Sequence, residues 1–192
     1  MPGRARDACA ATPWARGGVV IRPRALAALE AAVLAGYGCD EEACGYLAGP
    51  AAEPLVCDEH VALENLARRL HARDPVTYFR SARTYFEVDL YAFEGAHTRA
   101  LAAARPIKVL YHSHLDTGAY FSPTDKAAMS RGHVPEHEGG PAVLGPGPYW
   151  PLAFLVTSVA AGRIAEHRLF VWEGGDFVAA PHVVEAALGA SP

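Results

Sequence analysis

The chain has 192 residues, a formal net charge of −4, and a composition that is 51% hydrophobic and 20% charged. This length fits a single domain with an ample core. The mild acidity disfavours a nucleic-acid binder, which needs a concentrated basic face. No apolar run approaches the roughly 18 residues that span a bilayer. We therefore expect a folded protein whose partners are neither nucleic acids nor membranes.

The ends of the chain and its cysteines suggest a cellular setting. Residues 1–17 carry three arginines but no continuous apolar stretch, so they do not resemble a secretory signal. We expect a flexible lead-in there, followed by one domain over residues 18–192. The sequence has four cysteines, Cys9, Cys39, Cys44 and Cys57. They form no CxxC pair of the kind that holds structural zinc. A cytoplasmic protein with reduced thiols is favoured, although a bridge between two of the four stays open.

Turn residues and hydrophobic periodicity divide the first half into short elements. Proline at the first helical position and a Gly36-Tyr37-Gly38 stop delimit the first helix. Asp89 is a candidate N-cap for a second helix. The arginine-rich stretch 65–83 has no clear assignment. The predicted elements are a strand at 19–21, a helix at 23–34, strands at 43–48 and 55–61 around a Gly-Pro turn, and a helix from 89 to about 104.

The second half mixes strands with one further helix. A strand over 107–111 runs directly into His112-Ser113-His114. Ser122 at the N-cap, Pro123 at the first helical position and Asp125 at the third begin a helix in the manner of a capping box. Further strands are predicted at 152–159, 163–172 and 177–178. The absence of strict βαβ alternation favours an α+β fold or an irregular α/β sandwich.

The segment from His112 to Asp125 carries the strongest chemical signal. Side chains alternate along a strand, so His112 and His114 point to one side and offer two imidazoles to zinc. Asp125, in the first turn of the next helix, offers a carboxylate from the opposite wall. Three protein ligands with a fourth position left to water are typical of catalytic zinc. Glu42, just before an apolar strand, is a candidate base for that water. Ser122 is a candidate donor of a hydrogen bond to the developing oxyanion.

Each of these residues also has an ordinary explanation. Two histidines in a strand are often half-exposed strand residues, and Ser122 is accounted for as an N-cap. Asp125 has the favourable charge for a helix N-terminus, and Glu42 alone is a common exposed acid. Only their joint spacing, HxH-x7-S-xx-D with a glutamate upstream, favours the metal site.

These residues resemble a known family. His112-Ser113-His114 through Ser122-Pro123-Thr124-Asp125 looks like the JAMM motif, HxH-x7-SxxD, of the MPN+ or JAB metallopeptidases. The segment 42–49, EACGYLAG, resembles that family's ExxGxxxG element, and the order of elements agrees. Asn65 is similar to an asparagine often found in bacterial members. The resemblance covers roughly residues 18–180.

The resemblance implies a fold, a metal and a reaction. It implies a curved mixed β-sheet flanked by helices, related to the cytidine deaminase architecture. His112, His114 and Asp125 would ligate one zinc ion per chain, Glu42 would activate water, and Ser122 would steady the tetrahedral intermediate. The implied activity is peptidase or isopeptidase cleavage after the C-terminal Gly-Gly of a ubiquitin-like or sulfur-carrier protein. The oligomeric state, the substrate and the choice between peptide and isopeptide bonds stay open.

Two alternatives were weighed against this function. A non-catalytic MPN scaffold that binds partners would usually lack a zinc ligand or the glutamate, and here all five positions are present. A zinc nucleobase deaminase requires HxE and PCxxC, and the sequence has neither.

One departure from a minimal family member is the long segment 132–151, with five glycines and five prolines. We expect it to border the substrate channel and to be mobile without substrate, with Val143, Leu144, Tyr149 and Trp150 as apolar anchors. Alternatively, Tyr149 and Trp150 pack beneath the loop. His133 and His137 are interpreted as solvated loop residues in preference to a second metal site.

Overall fold

The computed structural model describes residues 18–184, which form nine strands and four helices. The strands are β1 (Val19–Ile21), β2 (Cys44–Ala48), β3 (Val56–Cys57), β4 (Glu59–Leu63), β5 (Ile107–Leu115), β6 (Ala153–Ala160), β7 (Arg163–Glu173), β8 (Asp176–Ala180) and β9 (His182–Val184). The helices are α1 (Pro23–Gly38), α2 (Ala67–Arg73), α3 (Leu90–Ala102) and α4 (Pro123–Met129). The predicted lead-in, residues 1–17, and the end of the predicted domain, residues 185–192, lie outside the described residues.

A six-stranded mixed sheet forms the centre of the fold, in the order β4-β2-β5-β6-β7-β8. Strands β5 and β6 are parallel, and the other neighbours are antiparallel. A second, smaller sheet of parallel strands has the order β3-β1-β9. The prediction of a mixed α/β fold with helices on a mixed sheet is confirmed.

The two faces of the sheet bury different clusters, because side chains alternate along each strand. On β5, Val109 and Tyr111 pack with Leu29 and Val33 of α1. Leu110, on the opposite face, packs with Phe93 of α3 and with the aromatic residues Phe121, Phe154, Phe170 and Phe177. The same alternation places His112 and His114 on the Leu110 face.

Three element boundaries differ from the sequence-based prediction. Strand β5 does not end at Tyr111 but continues to Leu115, and all nine of its residues are buried between β2 and β6. The strand expected over 55–61 divides at Asp58, whose amide donates to the Ala48 carbonyl, so β3 and β4 belong to different sheets. Helix α1 runs through the expected stop to Gly38, and the chain turns instead at Asp40, with φ of 57°.

The segment 132–151 is more regular than its composition suggests. His133 and Val143 form an antiparallel bridge with two backbone hydrogen bonds, of 2.9 and 3.0 Å. Ser130 anchors the returning chain, accepting from the Gly145 amide at its hydroxyl and from the Gly147 amide at its carbonyl. Trp150 packs on Phe93 with ring centroids 4.8 Å apart, whereas Val143, Leu144 and Tyr149 are exposed. The alternative prediction, that these two aromatic residues pack beneath the loop, therefore holds for Trp150 and not for Tyr149.

Two further features concern the described residues alone. Cys39, Cys44 and Cys57 are free thiols, and burial raises the pKa of Cys44 and of Cys57 to about 12. None of the four helices within residues 18–184 combines the length and apolar character needed to cross a bilayer.

Candidate metal centre and active site

Three side chains that the sequence predicted as zinc ligands come together on the α4 side of the sheet. His112 and His114 project from β5, and Asp125 projects from the first turn of α4; their exposed fractions are 3%, 5% and 7%. The Nε2 atoms of the two histidines are 3.2 Å apart, and they lie 3.5 and 3.7 Å from Asp125 Oδ2. Ligand atoms about 2.0–2.1 Å from a tetrahedral zinc are separated by about 3.4 Å. The cluster therefore has the size of one face of a zinc tetrahedron.

A hydrogen bond sets the tautomer of His114. Its Nδ1 lies 2.9 Å from the carbonyl oxygen of Gly118. A carbonyl oxygen only accepts, so Nδ1 carries the proton and donates it. In the neutral imidazole the lone pair is then on Nε2, the atom that faces His112 and Asp125. This is the outer-shell arrangement that orients histidine ligands in metal sites.

The capping box of α4 fixes Asp125. The Ser122 amide donates to Asp125 Oδ2 at 2.8 Å, and the Asp125 amide donates to Ser122 Oγ at 3.1 Å. Burial alone would raise the pKa of Asp125, but His112 first, then His114 and Ser122, outweigh that effect and hold the pKa well below its usual range. Asp125 is therefore ionised and ready to bind a cation.

Aromatic rings close the site on two sides. Phe86 stacks on His112, with ring centroids 4.6 Å apart and planes 19° from parallel. Tyr120 meets His114 edge-on at 4.9 Å. These rings restrict water around the imidazoles and limit their rotation, which strengthens electrostatic interactions inside the site. Neither residue is predicted as part of the site from the sequence, because an isolated aromatic residue gives no signal beyond that of a core residue.

Glu42 lies two residues before β2, the strand that pairs with β5. Cys44 pairs with His112, and the Ser113 amide donates to the Ala43 carbonyl at 2.9 Å, which continues the antiparallel register towards Glu42. Alternation then directs the Glu42 side chain to the face that carries the imidazoles. Burial, and next repulsion from Asp125, raise the pKa of Glu42 well above its usual value. A buried carboxylate of this kind readily takes up a proton.

The backbone of Glu42 is held by segments that are distant in sequence. Its amide donates to the Ala82 carbonyl at 2.7 Å, and its carbonyl accepts from Asn65 Nδ2 at 2.9 Å. Asn65 Nδ2 also donates to the Tyr85 carbonyl, while Asn65 Oδ1 accepts from the Ala67 and Glu87 amides. Asn65 was noted in the sequence only by resemblance; the structure shows that its buried amide joins three segments behind the candidate base.

Two roles are predicted for Ser122, that of an N-cap and that of a donor to an oxyanion. Its Oγ accepts from the Asp125 amide as an N-cap should. The Ser122 side chain also forms a hydrogen bond with the Asp125 carboxylate, which helps to lower the pKa of that carboxyl. The predicted role towards an oxyanion therefore stays a prediction that this geometry permits.

The donor set fits zinc. Two imidazole nitrogens and one carboxylate oxygen, all buried, form a common set of three protein ligands in catalytic zinc sites. Within residues 18–184, His112, His114 and Asp125 are the only group of three or more such donors close enough to share an ion. His133 and His137 join no such group: His133 lies in the loop bridge, and His137 Nδ1 is 3.0 Å from the Glu138 carbonyl oxygen.

The fold agrees with comparisons to known proteins. The model of a family described as prokaryotic homologues of the JAB domain matches residues 24–169. The chain belongs to this family, as its two motifs implied.

One solved structure supports the same fold, and a second similar structure is also known. The chain is similar to the solution structure of protein DSY2949 from Desulfitobacterium hafniense, at 17% identity over 88% of this chain and 94% of that chain, with a TM-score of 0.59. A solution structure of a protein from Salinibacter ruber is 18% identical over 91% of this chain and 95% of that chain, with a TM-score of 0.48. The comparison with curated proteins gives no match.

Proposed function

We propose that the protein is a zinc-dependent peptidase or isopeptidase that cleaves after the C-terminal Gly-Gly of a ubiquitin-like or sulfur-carrier protein. The observation that carries this proposal is the convergence of His112, His114 and Asp125 beside the buried carboxylate of Glu42. Membership of a family that includes metallopeptidases supports the reaction class. The choice of substrate rests on the resemblance of the two motifs.

The proton transfers are assigned to Glu42. Zinc, when bound by His112, His114 and Asp125, supplies Lewis acidity that lowers the pKa of water towards neutrality. Glu42 accepts a proton from the water that attacks the scissile carbonyl and then delivers it to the leaving amine. The raised pKa of Glu42 suits both transfers, since general acid–base catalysis is most effective near the working pH.

The charge that develops on the carbonyl oxygen is assigned to Ser122. Its hydroxyl is held beside the candidate metal ligands by the hydrogen bond that Oγ accepts from the Asp125 amide. A donor that is already oriented loses little free energy to reorganisation when charge develops. Ser122 would therefore stabilise the tetrahedral oxyanion.

A cavity of about 450 Å³ supports binding of an extended peptide. One wall is formed by residues 77–80 with Tyr85, and another by residues 134–136 of the long loop. The cavity and the candidate base share a support, because Asn65 donates both to the carbonyl of Tyr85, which lines the cavity, and to the carbonyl of Glu42. We propose that the segment leading to Gly-Gly lies here, which would make the loop a border of the substrate channel.

The test uses the purified protein loaded with zinc and a β-grasp protein that ends in Gly-Gly. The β-grasp protein is supplied with a short C-terminal extension and, separately, joined to a lysine side chain. Mass spectrometry should show a product ending at Gly-Gly, absent after chelation, restored by zinc, and absent with Glu42→Gln. Binding of the β-grasp protein without cleavage of either form would overturn the proposal in favour of a non-catalytic scaffold.

A further inference from the structure

Arg83 connects the two turns that flank the candidate site. Its guanidinium forms ion pairs with Asp40 and with Asp116, the latter with an N–O distance of 2.8 Å. Asp40 is two residues before Glu42, and Asp116 is two residues after His114. One side chain therefore joins the approach to the base with the exit from the metal ligand.

Both acidic partners have backbones in the left-handed region. The φ angles of Asp40 and Asp116 are 57° and 55°. Non-glycine residues adopt this region at a cost in free energy, although aspartate tolerates it better than most. Interactions that hold these two carboxylates consequently help to keep each turn in its observed shape.

The turn at Asp116 controls the orientation of His114. Asp116 Oδ2 accepts from Arg83, while its Oδ1 accepts from the Tyr37 hydroxyl at 3.0 Å and from the Ala161 amide at 3.3 Å. Two residues further on, the Gly118 carbonyl accepts the proton of His114 Nδ1. A displacement of this turn would move the acceptor that fixes the tautomer and ring orientation of His114.

On the other side, Arg83 follows the residue that holds the base. The Ala82 carbonyl accepts the amide of Glu42 at 2.7 Å. The pair with Asp40 ties the segment 82–83 to the end of the turn that leads to Glu42. The position of the Glu42 backbone and that of the Gly118 acceptor therefore depend on one guanidinium.

We propose that Arg83 is a positioning residue that holds the Glu42 strand and the Asp116–Gly118 turn in register, an inference that rests on the proposed function for its catalytic part only. The side chains of Arg83, Asp40 and Asp116 are 39%, 69% and 43% exposed. Ion pairs at such exposure add little to stability. Small displacements in a site nevertheless have large effects on ligand binding and rate. Arg83 thus acts on geometry more than on folding.

The first test measures zinc affinity, by competition with a chromophoric chelator, together with the melting temperature of the metal-free protein. Arg83→Met and Asp116→Asn should each weaken zinc binding by about tenfold, the lower end of the range for outer-shell changes. Arg83→Lys should recover part of the loss. The double variant should lose little more than either single variant, because the two residues act through one contact. Arg105→Met is the matched control, since Arg105 also pairs with two carboxylates, those of Asp58 and Glu59, and is likewise 39% exposed.

Two results would overturn the positioning role. One is unchanged zinc affinity in both Arg83→Met and Asp116→Asn. The other is a loss of affinity that comes with a fall of more than about 8 °C in melting temperature, which corresponds to general destabilisation in a chain of this size. Arg83→Lys keeps the test valid if the methionine variant does not fold.

Hydrolysis provides a separate measurement with the Gly-Gly extension substrate described above. Arg83→Met should lower kcat by about tenfold or more and leave KM within about twofold, because the base is displaced and the peptide channel is not. Weakened zinc binding in a protein without hydrolase activity would support the positioning role and contradict the proposed function. An active protein in which Arg83→Met changes neither kcat nor zinc affinity would support the proposed function and contradict the positioning role.

Discussion

The metal-ligand half and the base half of the site are built in different ways. The ligand half comes from fourteen consecutive residues, His112 to Asp125, on one strand and the helix that follows it. The base half is assembled from segments far apart in the chain, since Glu42 is held by Ala82 and Asn65 and its turn is tied to Arg83. The ligand half relies on regular secondary structure, and the base half on side-chain and backbone contacts between loops.

This difference has a physical consequence. The imidazoles stand on a central strand paired on both sides, and Asp125 belongs to a capping box, so regular secondary structure fixes all three side chains. Glu42 precedes β2 and depends on partners whose positions are decided by tertiary packing. We expect changes in the ligand half to abolish metal binding and changes in the base half to reduce the rate with metal retained.

The largest effect should follow removal of a ligand imidazole. The wild-type protein should carry about one zinc per chain, and His112→Ala or His114→Ala should carry almost none, because two remaining donors bind zinc weakly. Elemental analysis after dialysis without chelator measures this. His133→Ala, in the loop bridge, is the control and should keep its zinc. Absence of zinc from the wild-type protein under these conditions would contradict the assignment.

Glu42→Gln should give the clearest separation of the two halves. Glutamine keeps the size of the side chain but cannot take the proton, so kcat should fall by about a hundredfold or more. Zinc content and melting temperature should stay close to the wild-type values. Retention of more than about a tenth of wild-type kcat would exclude Glu42 as the base.

Substitution of Asn65 tests whether the base half depends on residues that are distant from Glu42 in the sequence. Asn65→Ala removes an amide that makes four hydrogen bonds and leaves buried backbone groups unpaired, so stability should fall by about 2–4 kcal/mol. Denaturant unfolding measures this change. Asn65→Asp retains the two accepted bonds but places an oxygen against the carbonyls of Glu42 and Tyr85. It should lower kcat more than zinc affinity, and the opposite pattern would assign Asn65 to the ligand half.

The long loop should affect binding of a folded substrate and leave both halves of the site intact. Val143 and Leu144 are exposed, and the bridge at Val143 uses only its backbone. Replacing both side chains with serine should raise KM for the protein substrate by about three- to tenfold. A short peptide with the same Gly-Gly junction should show little change. Equal effects on the two substrates would indicate that the loop is structural.

The smallest expected effect is on the pH dependence of stability. Burial raises the pKa of Glu42 in the folded state, so Glu42 ionises at a lower pH in the unfolded chain than in the folded protein. The folded state therefore loses stability as pH rises through the raised pKa. Metal-free Glu42→Gln has no such group and should melt at a higher temperature than the wild type at pH 7. Below about pH 4, where the wild-type carboxyl is protonated in both states, the difference should disappear. A lower melting temperature for the variant at neutral pH would contradict this account.

The parts of the site that the sequence predicted depend on short-range rules. The spacing of His112 and His114 places them on one face of any strand, and the order of Ser122, Pro123 and Asp125 begins a helix wherever it occurs. The structure confirms both features. The position of Glu42 was predicted by motif alone, since no local rule specifies which strand lies beside β5.

The length of β5, the division between β3 and β4, and the contacts of Asn65, Phe86 and Arg83 required the tertiary structure. Strand pairing decides the first two, because β5 extends as far as β2 and β6 pair with it. The remaining contacts join residues twenty or more positions apart, for which one sequence carries no periodic signal. The sequence by itself therefore determined the candidate zinc ligands and the start of α4. Tertiary packing decided how the base reaches them, since its position is set by long-range contacts and not by backbone periodicity.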